Sequence, residues 1–319
     1  MIIVNDGRST ARLNGRWHSR VHLPSAGVAM ERGERRILHD GRRLWLRTLA
    51  WLVLLFFLTA AAFGLPLQAG VDLLPPERTD LQFGATLLAS TCALVLYAFA
   101  VRLGEGRQPS ELALRPALKG LAVGVALGLL LMVILMAVMA VSGLYAITWV
   151  GLVPMWGGLS LAVQAAVTEE LWMRALIFRL LWRVLGPLPA FALSALVFGA
   201  LHLANPGATI VAGATVTLAG LMFCALYTLT GRLWVPIGLH LAWNFAQGSL
   251  FGAAVSGGQL GSSVAHSTAR EATEEWLTGG TFGPEASVLA LLLISLVTVG
   301  ALVLAHLTGR FVAPPGTQP

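Results

Sequence analysis

The chain has 319 residues, 56% hydrophobic and 11% charged, with a formal net charge of +6. Soluble domains carry about 25% charged residues, so this composition excludes a water-exposed globular surface and leaves a membrane-embedded one. The first 47 residues hold ten arginines against four acids, which accounts for the whole net charge; juxtamembrane arginines of this kind set orientation and meet anionic lipid, and they imply no nucleic acid.

Residues 1–47 read as a basic cytoplasmic arm, flexible apart from a short helix around 29–39, and too polar at the start for a cleavable signal peptide. Apolar runs of roughly 20 residues, the length that crosses a bilayer, then follow at 48–67, 81–101, 119–144, 159–181, 188–203, 209–229, 233–250 and 286–307. The expected fold is therefore all-α: a polytopic membrane helix bundle of about eight transmembrane helices. The chain divides into the arm (1–47), two N-terminal spans with a cytoplasmic linker (48–118), a helical core (119–252), an extracytoplasmic loop with a short helix around 269–277 (253–285), and a last span with its tail (286–319). Arg102, Arg107, Arg115, Lys119, Arg179, Arg183, Arg232 and Arg310 fall at one set of span ends. Placing them inside gives consistent alternation with both termini cytoplasmic. Asp72, Glu77, Asp80, Glu271, Glu274, Glu275 and Glu285 fall at the opposite ends. Gly120, Gly124 and Gly128 repeat at four-residue spacing, a face that lets a second helix approach closely, within the chain or between chains. Cys92 and Cys224 lie inside apolar runs without metal spacing and read as small packing residues.

The core carries two adjacent carboxylates, Glu169 and Glu170, in the middle of an apolar helix. A charge at mid-bilayer costs about 2.5–3.5 kcal/mol on insertion scales, and folding requires no such cost, so the pair points to function. Glu170 and Arg174 are four apart and share a helix face, as a supporting ion pair would. Glu169 is rotated about 100° from Glu170 and addresses another neighbour; the bland alternative is a helix-packing network of all three. His202 lies in the fifth span, and His240 and Asn244, one turn apart, in the seventh. Each histidine alone is as readily a packing residue. Together Glu169, His202, His240 and Asn244 can surround one polar cavity, the signature of a site.

The residues read EExxxR (169–174), FxxxH (198–202) and HxxxN (240–244). This ordered triple, on separate helices, resembles the CPBP family of intramembrane proteases, which contains the type II CAAX prenyl endopeptidases and the bacteriocin-processing, Abi-type proteins. The resemblance covers about 120–252. It implies that Glu169 activates a water with help from His202, that His240 and Asn244 stabilise the oxyanion, and that Glu170 and Arg174 support the geometry. It implies no cofactor, a membrane-tethered peptide or protein as substrate, a lipid bilayer as surroundings and, for a bacterial-style member, the cell membrane of a prokaryote. Were zinc bound, Glu169, His202 and His240 would be its ligands, although the spacing is not HExxH. A proton-coupled transporter using the same buried groups is the alternative; against it, the spans show no internal repeat.

Overall fold

A computed structural model describes residues 29–311 except Ala272; the expectations for 1–28 and for 312–319 lie outside these residues. The chain forms α1 (Leu44–Leu73), α2 (Thr79–Gly104), α3 (Ala117–Val141), β1 (Tyr145–Trp149) and α4 (Trp156–Glu170). A π-helical stretch, Leu171–Phe178, joins α4 without a break to α5 (Arg179–Leu185). Then come α6 (Pro187–His202), α7 (Ile210–Thr230) and α8 (Trp234–Phe245), the last prolonged by a second π-helical stretch, Ala246–Leu250. β2 (Ala265–Ala269), the single turn α9 (Glu275–Thr278) and α10 (Val288–Leu307) complete it.

Among the described residues, α1, α2, α3, α7 and α10 are each long and apolar enough to cross a membrane, and the protein is an all-α membrane bundle. The rods 156–185, 187–202 and 234–250 occupy the places expected for spans four, five and seven. They are shorter or interrupted by π turns, and they carry the polar residues. The turns between rods follow from local chemistry. Gly186, at φ +85°, lets the chain reverse before Pro187 opens α6. Thr209 and Ser287 cap α7 and α10 by accepting from Ala212 N and Ala290 N.

Helix α8 sits at the centre, with residues on all its faces buried, as expected of a helix surrounded by protein. The glycine face of α3 packs on it within the chain. A Cβ at Gly124 would meet Leu239 N at 2.8 Å and Gly238 Cα at 3.0 Å, and Gly238 reciprocates against Val125 N at 3.0 Å. Both contacts are backbone on backbone, which only glycine allows.

Three expectations need correction. The third span stops at Val141, and Tyr145–Trp149 pairs antiparallel with Ala265–Ala269, from Tyr145 opposite Ala269 to Trp149 opposite Ala265. An otherwise all-α chain thus carries a two-stranded ribbon built from aromatic and β-branched residues, which suit a pleated surface. The short helix expected around 269–277 shrinks to α9, because residues up to 269 are committed to that ribbon. The arm, expected to be flexible apart from a short helix around 29–39, is docked throughout its described part, with a single helical turn at Arg36–Leu38.

That docking is polar and, on the side of Arg179, Arg183 and Glu105, buried. Arg183 Nε donates to Gly33 O at 2.9 Å and Arg183 Nη2 pairs with Asp40 Oδ1 at 2.5 Å. Arg179 donates to Arg32 O at 3.0 Å and clasps Glu105 with two bonds of 2.7 and 2.8 Å. Arg107 pairs with Glu105 at 2.6 Å and grips Glu111 at 2.7 and 2.8 Å. Trp51 donates to Glu105 at 2.9 Å, and the Tyr97 hydroxyl donates to Glu111. Burial alone would push the Glu111 carboxyl up; the Arg107 charge and its hydrogen bonds override that and bring it down to about 2. This network joins α1, α2, the 105–111 linker, α5 and the arm at one end of the bundle, opposite the β ribbon.

Candidate active site

The site is assembled by three rods. Glu169 and Glu170 end the regular part of α4, and Arg174 falls inside the π stretch that follows. π turns replace the i→i−4 ladder locally and are frequent at functional sites; across this one Arg174 Nη1 lies 3.0 Å from Glu170 Oε1, with both side chains fully buried. Arg174 also donates to Gly220 O on α7 at 3.3 Å. Its guanidinium lies 4.5 Å from the Phe198 ring centroid and 4.7 Å from that of Phe223, an electrostatically favourable cation–π sandwich.

Those two phenyl rings each back a histidine. Phe198 packs against His202 with ring centroids 4.6 Å apart, and Phe223 stacks on His240 at 5.0 Å. The imidazoles are further fixed through Nδ1. His202 donates from Nδ1 to Phe198 O at 2.8 Å, the one direction a carbonyl permits. His240 donates from Nδ1 to Glu170 Oε1 at 2.9 Å. Glu170 thus holds two partners, Arg174 and His240, where helical spacing pointed to one.

With both Nδ1 atoms engaged, both Nε2 atoms face Glu169. Its Oε2 lies 4.0 Å from His202 Nε2 and 3.9 Å from His240 Nε2. That oxygen is buried and has no hydrogen-bond partner, although the side chain as a whole is 29% exposed. Glu169 is therefore reachable from outside, whereas Glu170 is not. Its inner oxygen is left without the partners that buried carboxylates normally have.

Beside the imidazoles lies a cavity of about 50 Å³ whose walls include His202, His240, Asn244, Ser256 and Glu285 on its polar side, and Val216, Met222, Leu239 and Ile294 on its apolar side. A water needs roughly 10–15 Å³ of such space and two to four polar partners; this cavity offers both. His202, His240 and Asn244 share the cavity wall, with Asn244 one turn beyond His240, whereas Glu169 faces the two imidazoles without lining that cavity.

The sequence reading missed Glu285 and Ser256. Glu285 counted only as one of the loop acids, yet it is buried against the site. Its oxygens accept from Ser256 N at 2.5 Å, Ser256 Oγ at 2.8 Å and Trp243 Nε1 at 3.1 Å. Burial pushes its carboxyl upward, and the donors from Ser256 and Trp243 act against that. The signal available in the sequence was position: Pro284-Glu285-Ala286 abuts an apolar span.

The donor set does not fit zinc as it is placed. Ligand atoms on a tetrahedral zinc with bonds of about 2.0–2.1 Å stand about 3.3 Å apart, less than the 3.9 and 4.0 Å from Glu169 to the two rings. Among the described residues no group of three or more His, Cys, Asp or Glu side chains is disposed to hold a metal ion.

Residues 149–246 match the family model described as type II CAAX prenyl endopeptidase Rce1-like. No curated protein and no solved structure matches the chain. The matched stretch runs from the end of β1 to the end of α8 and encloses Glu169, Glu170, Arg174, His202, His240 and Asn244. Over this segment the chain is similar to that family of intramembrane CAAX-type proteases.

Proposed function

We propose that this protein is an intramembrane endopeptidase that hydrolyses a peptide bond in a membrane-tethered or membrane-inserted peptide or protein by metal-free water activation. The observation that carries the reading is the unpartnered Glu169 oxygen facing the Nε2 atoms of His202 and His240, both of which also line a cavity with room for water. Glu169 is the general base. It takes a proton from a water, whose oxygen attacks the scissile carbonyl carbon. His202, with Nδ1 committed to Phe198 O, presents the Nε2 lone pair of its neutral ring and helps to hold the same water. The carbonyl oxygen becomes an oxyanion, received by the Asn244 amide and by His240 Nε2. For that role His240 carries protons on both nitrogens, with Nδ1–H on Glu170. Collapse of the tetrahedral intermediate breaks the C–N bond, and the proton held by Glu169 passes to the leaving amine. Glu170 and Arg174 hold His240 and keep the buried charges compensated.

The family favours this chemistry over the proton-coupled transporter, which uses the same groups without cleaving a bond. We infer from the arginine distribution that the Arg102, Arg107, Arg179 and Arg183 end of the bundle faces the cytoplasm, with both termini on that side and the β ribbon outward, in the cell membrane of a prokaryote. The bilayer is the site's surroundings, and nothing in the cavity requires a prenyl chain on the substrate.

The test is a quenched-peptide library cleaved by purified protein, alongside Glu169→Ala, His202→Ala, His240→Ala and Asn244→Ala. Loss of the base lowers kcat by about 10²–10⁴-fold, and loss of an oxyanion donor by about 10²–10³-fold. Unchanged cleavage in all four variants would refute the peptidase. Proton or solute flux in liposomes, abolished by Glu169→Gln, would establish the transporter instead.

A further inference from the structure

Glu285 and Ser256 lie outside the segment matched to the family, yet both line the cavity with His202, His240 and Asn244. The carboxylate does two things there. It accepts from Trp243 Nε1 on α8, and Trp243 directly precedes Asn244 and follows His240 by three residues. It also accepts from the backbone and hydroxyl of Ser256, which stands at φ +47°, a left-handed conformation that a residue with a Cβ adopts only when its surroundings hold it. Further bonds stitch the two ends of the 253–287 segment to each other and to the rod of α8. Gly257 N donates to Phe282 O at 2.9 Å, Gln247 Nε2 donates to Ala254 O at 2.6 Å, and Ala253 N donates to Gln247 O at 3.0 Å. Gly283, at φ +119°, approaches so closely that a Cβ would meet Gln247 Nε2 at 3.0 Å. Ser256 and Glu285, near the two ends of that segment, meet on the cavity wall.

We propose that Glu285 is a positioning residue of this site, pinning Trp243, and with it the face of α8 that bears His240 and Asn244, to the 253–287 segment that contributes Ser256 to the cavity wall. A carboxylate suits the task because it is acceptor-only and offers about four lone-pair sites, enough for three donors arriving from two segments. A glutamine would turn one of its two positions into a donor facing a donor. The catalytic consequence rests on the peptidase reading; the placement does not.

The experiment therefore has two arms. In a Cys92→Ala, Cys224→Ala background, a single cysteine replaces Ala219 on the α7 wall of the cavity, and its labelling by a small charged methanethiosulfonate is timed. The same proteins are assayed for Glu169-dependent peptide cleavage. Glu285→Gln, and Trp243→Phe as the milder change that keeps the ring and deletes only the donor, should each raise the labelling rate about tenfold. Each should lower kcat by about tenfold with KM nearly unchanged, as expected for loss of one charge-assisted hydrogen bond that holds the reacting geometry. Labelling at the parental rate in both variants overturns the proposal, as does faster labelling with undiminished kcat. Absence of Glu169-dependent cleavage in the parent would sink the peptidase reading alone, and labelling would then decide the placement.

Discussion

Gly124→Ala tests whether the α3–α8 contact sets the active-site geometry. The new methyl would meet Leu239 N at 2.8 Å and Gly238 Cα at 3.0 Å, and Val235 O closer still. All three atoms are backbone, so no rotamer change relieves them. Carbon prefers neighbours at about 3.5–4.0 Å, so α8 must retreat by something on the order of 1 Å. Overpacking of this kind costs about 1–3 kcal/mol. A misplacement of about 1 Å at a reacting group costs on the order of 10²-fold in rate, and α8 carries His240 and Asn244. Gly84→Ala and Gly300→Ala are the controls, because nothing lies within 4 Å of a Cβ at either position. They should gain up to about 1 kcal/mol from helix propensity. The assay is apparent melting temperature in detergent together with kcat. Wild-type melting and turnover in Gly124→Ala, equal to the controls, would refute the argument that this contact positions the site.

Arg174→Met strands the Glu170 carboxylate in the bundle and should destabilise by about 3–5 kcal/mol, whereas adding Glu170→Gln should recover part of that; thermal melts of the single and double variants check it. The Glu111 carboxyl falls from its ordinary 4.5 to about 2. A depressed carboxyl contributes stability above its unfolded value and loses it as pH falls through the folded one. About 3 kcal/mol should therefore disappear between pH of roughly 4.5 and 2, and Glu111→Gln should flatten that part of the pH–melting curve. Cleavage should persist after exhaustive chelation, with zinc sub-stoichiometric by elemental analysis; stoichiometric zinc with chelator-sensitive turnover would reassign Glu169, His202 and His240 as ligands.

The site was legible where charge interrupts apolar sequence. Glu169 and Glu170 stand out because no other acid falls in their span, and four-residue spacings tie Glu170 to Arg174 and His240 to Asn244. Glu285 was illegible for the opposite reason: it sits among loop acids, and its partners Trp243 and Ser256 are set by tertiary contact. Glu105, Arg107 and Glu111 likewise resemble ordinary interfacial charges until Arg179 reaches them from another rod. The β ribbon joins segments about 120 residues apart, and no local pattern in Tyr145–Trp149 names Ala265–Ala269 as its partner. The glycine face on α3 announced a close approach but not which helix would make it.

The π-helical turn through Leu171–Phe178 acts as a phase setter. One continuous rod must aim Glu169 and Glu170 at two histidines and, lower down, aim Arg179 and Arg183 at Glu105 and the arm. Those two demands fix the angle between its halves, and the broadened turn supplies it. Deleting a single residue there would restore an ordinary helical ladder and swing one half against the other. The site and the anchorage could then no longer be satisfied by the same helix, so the length of this segment is as much a constraint on the protein as the identity of its glutamates.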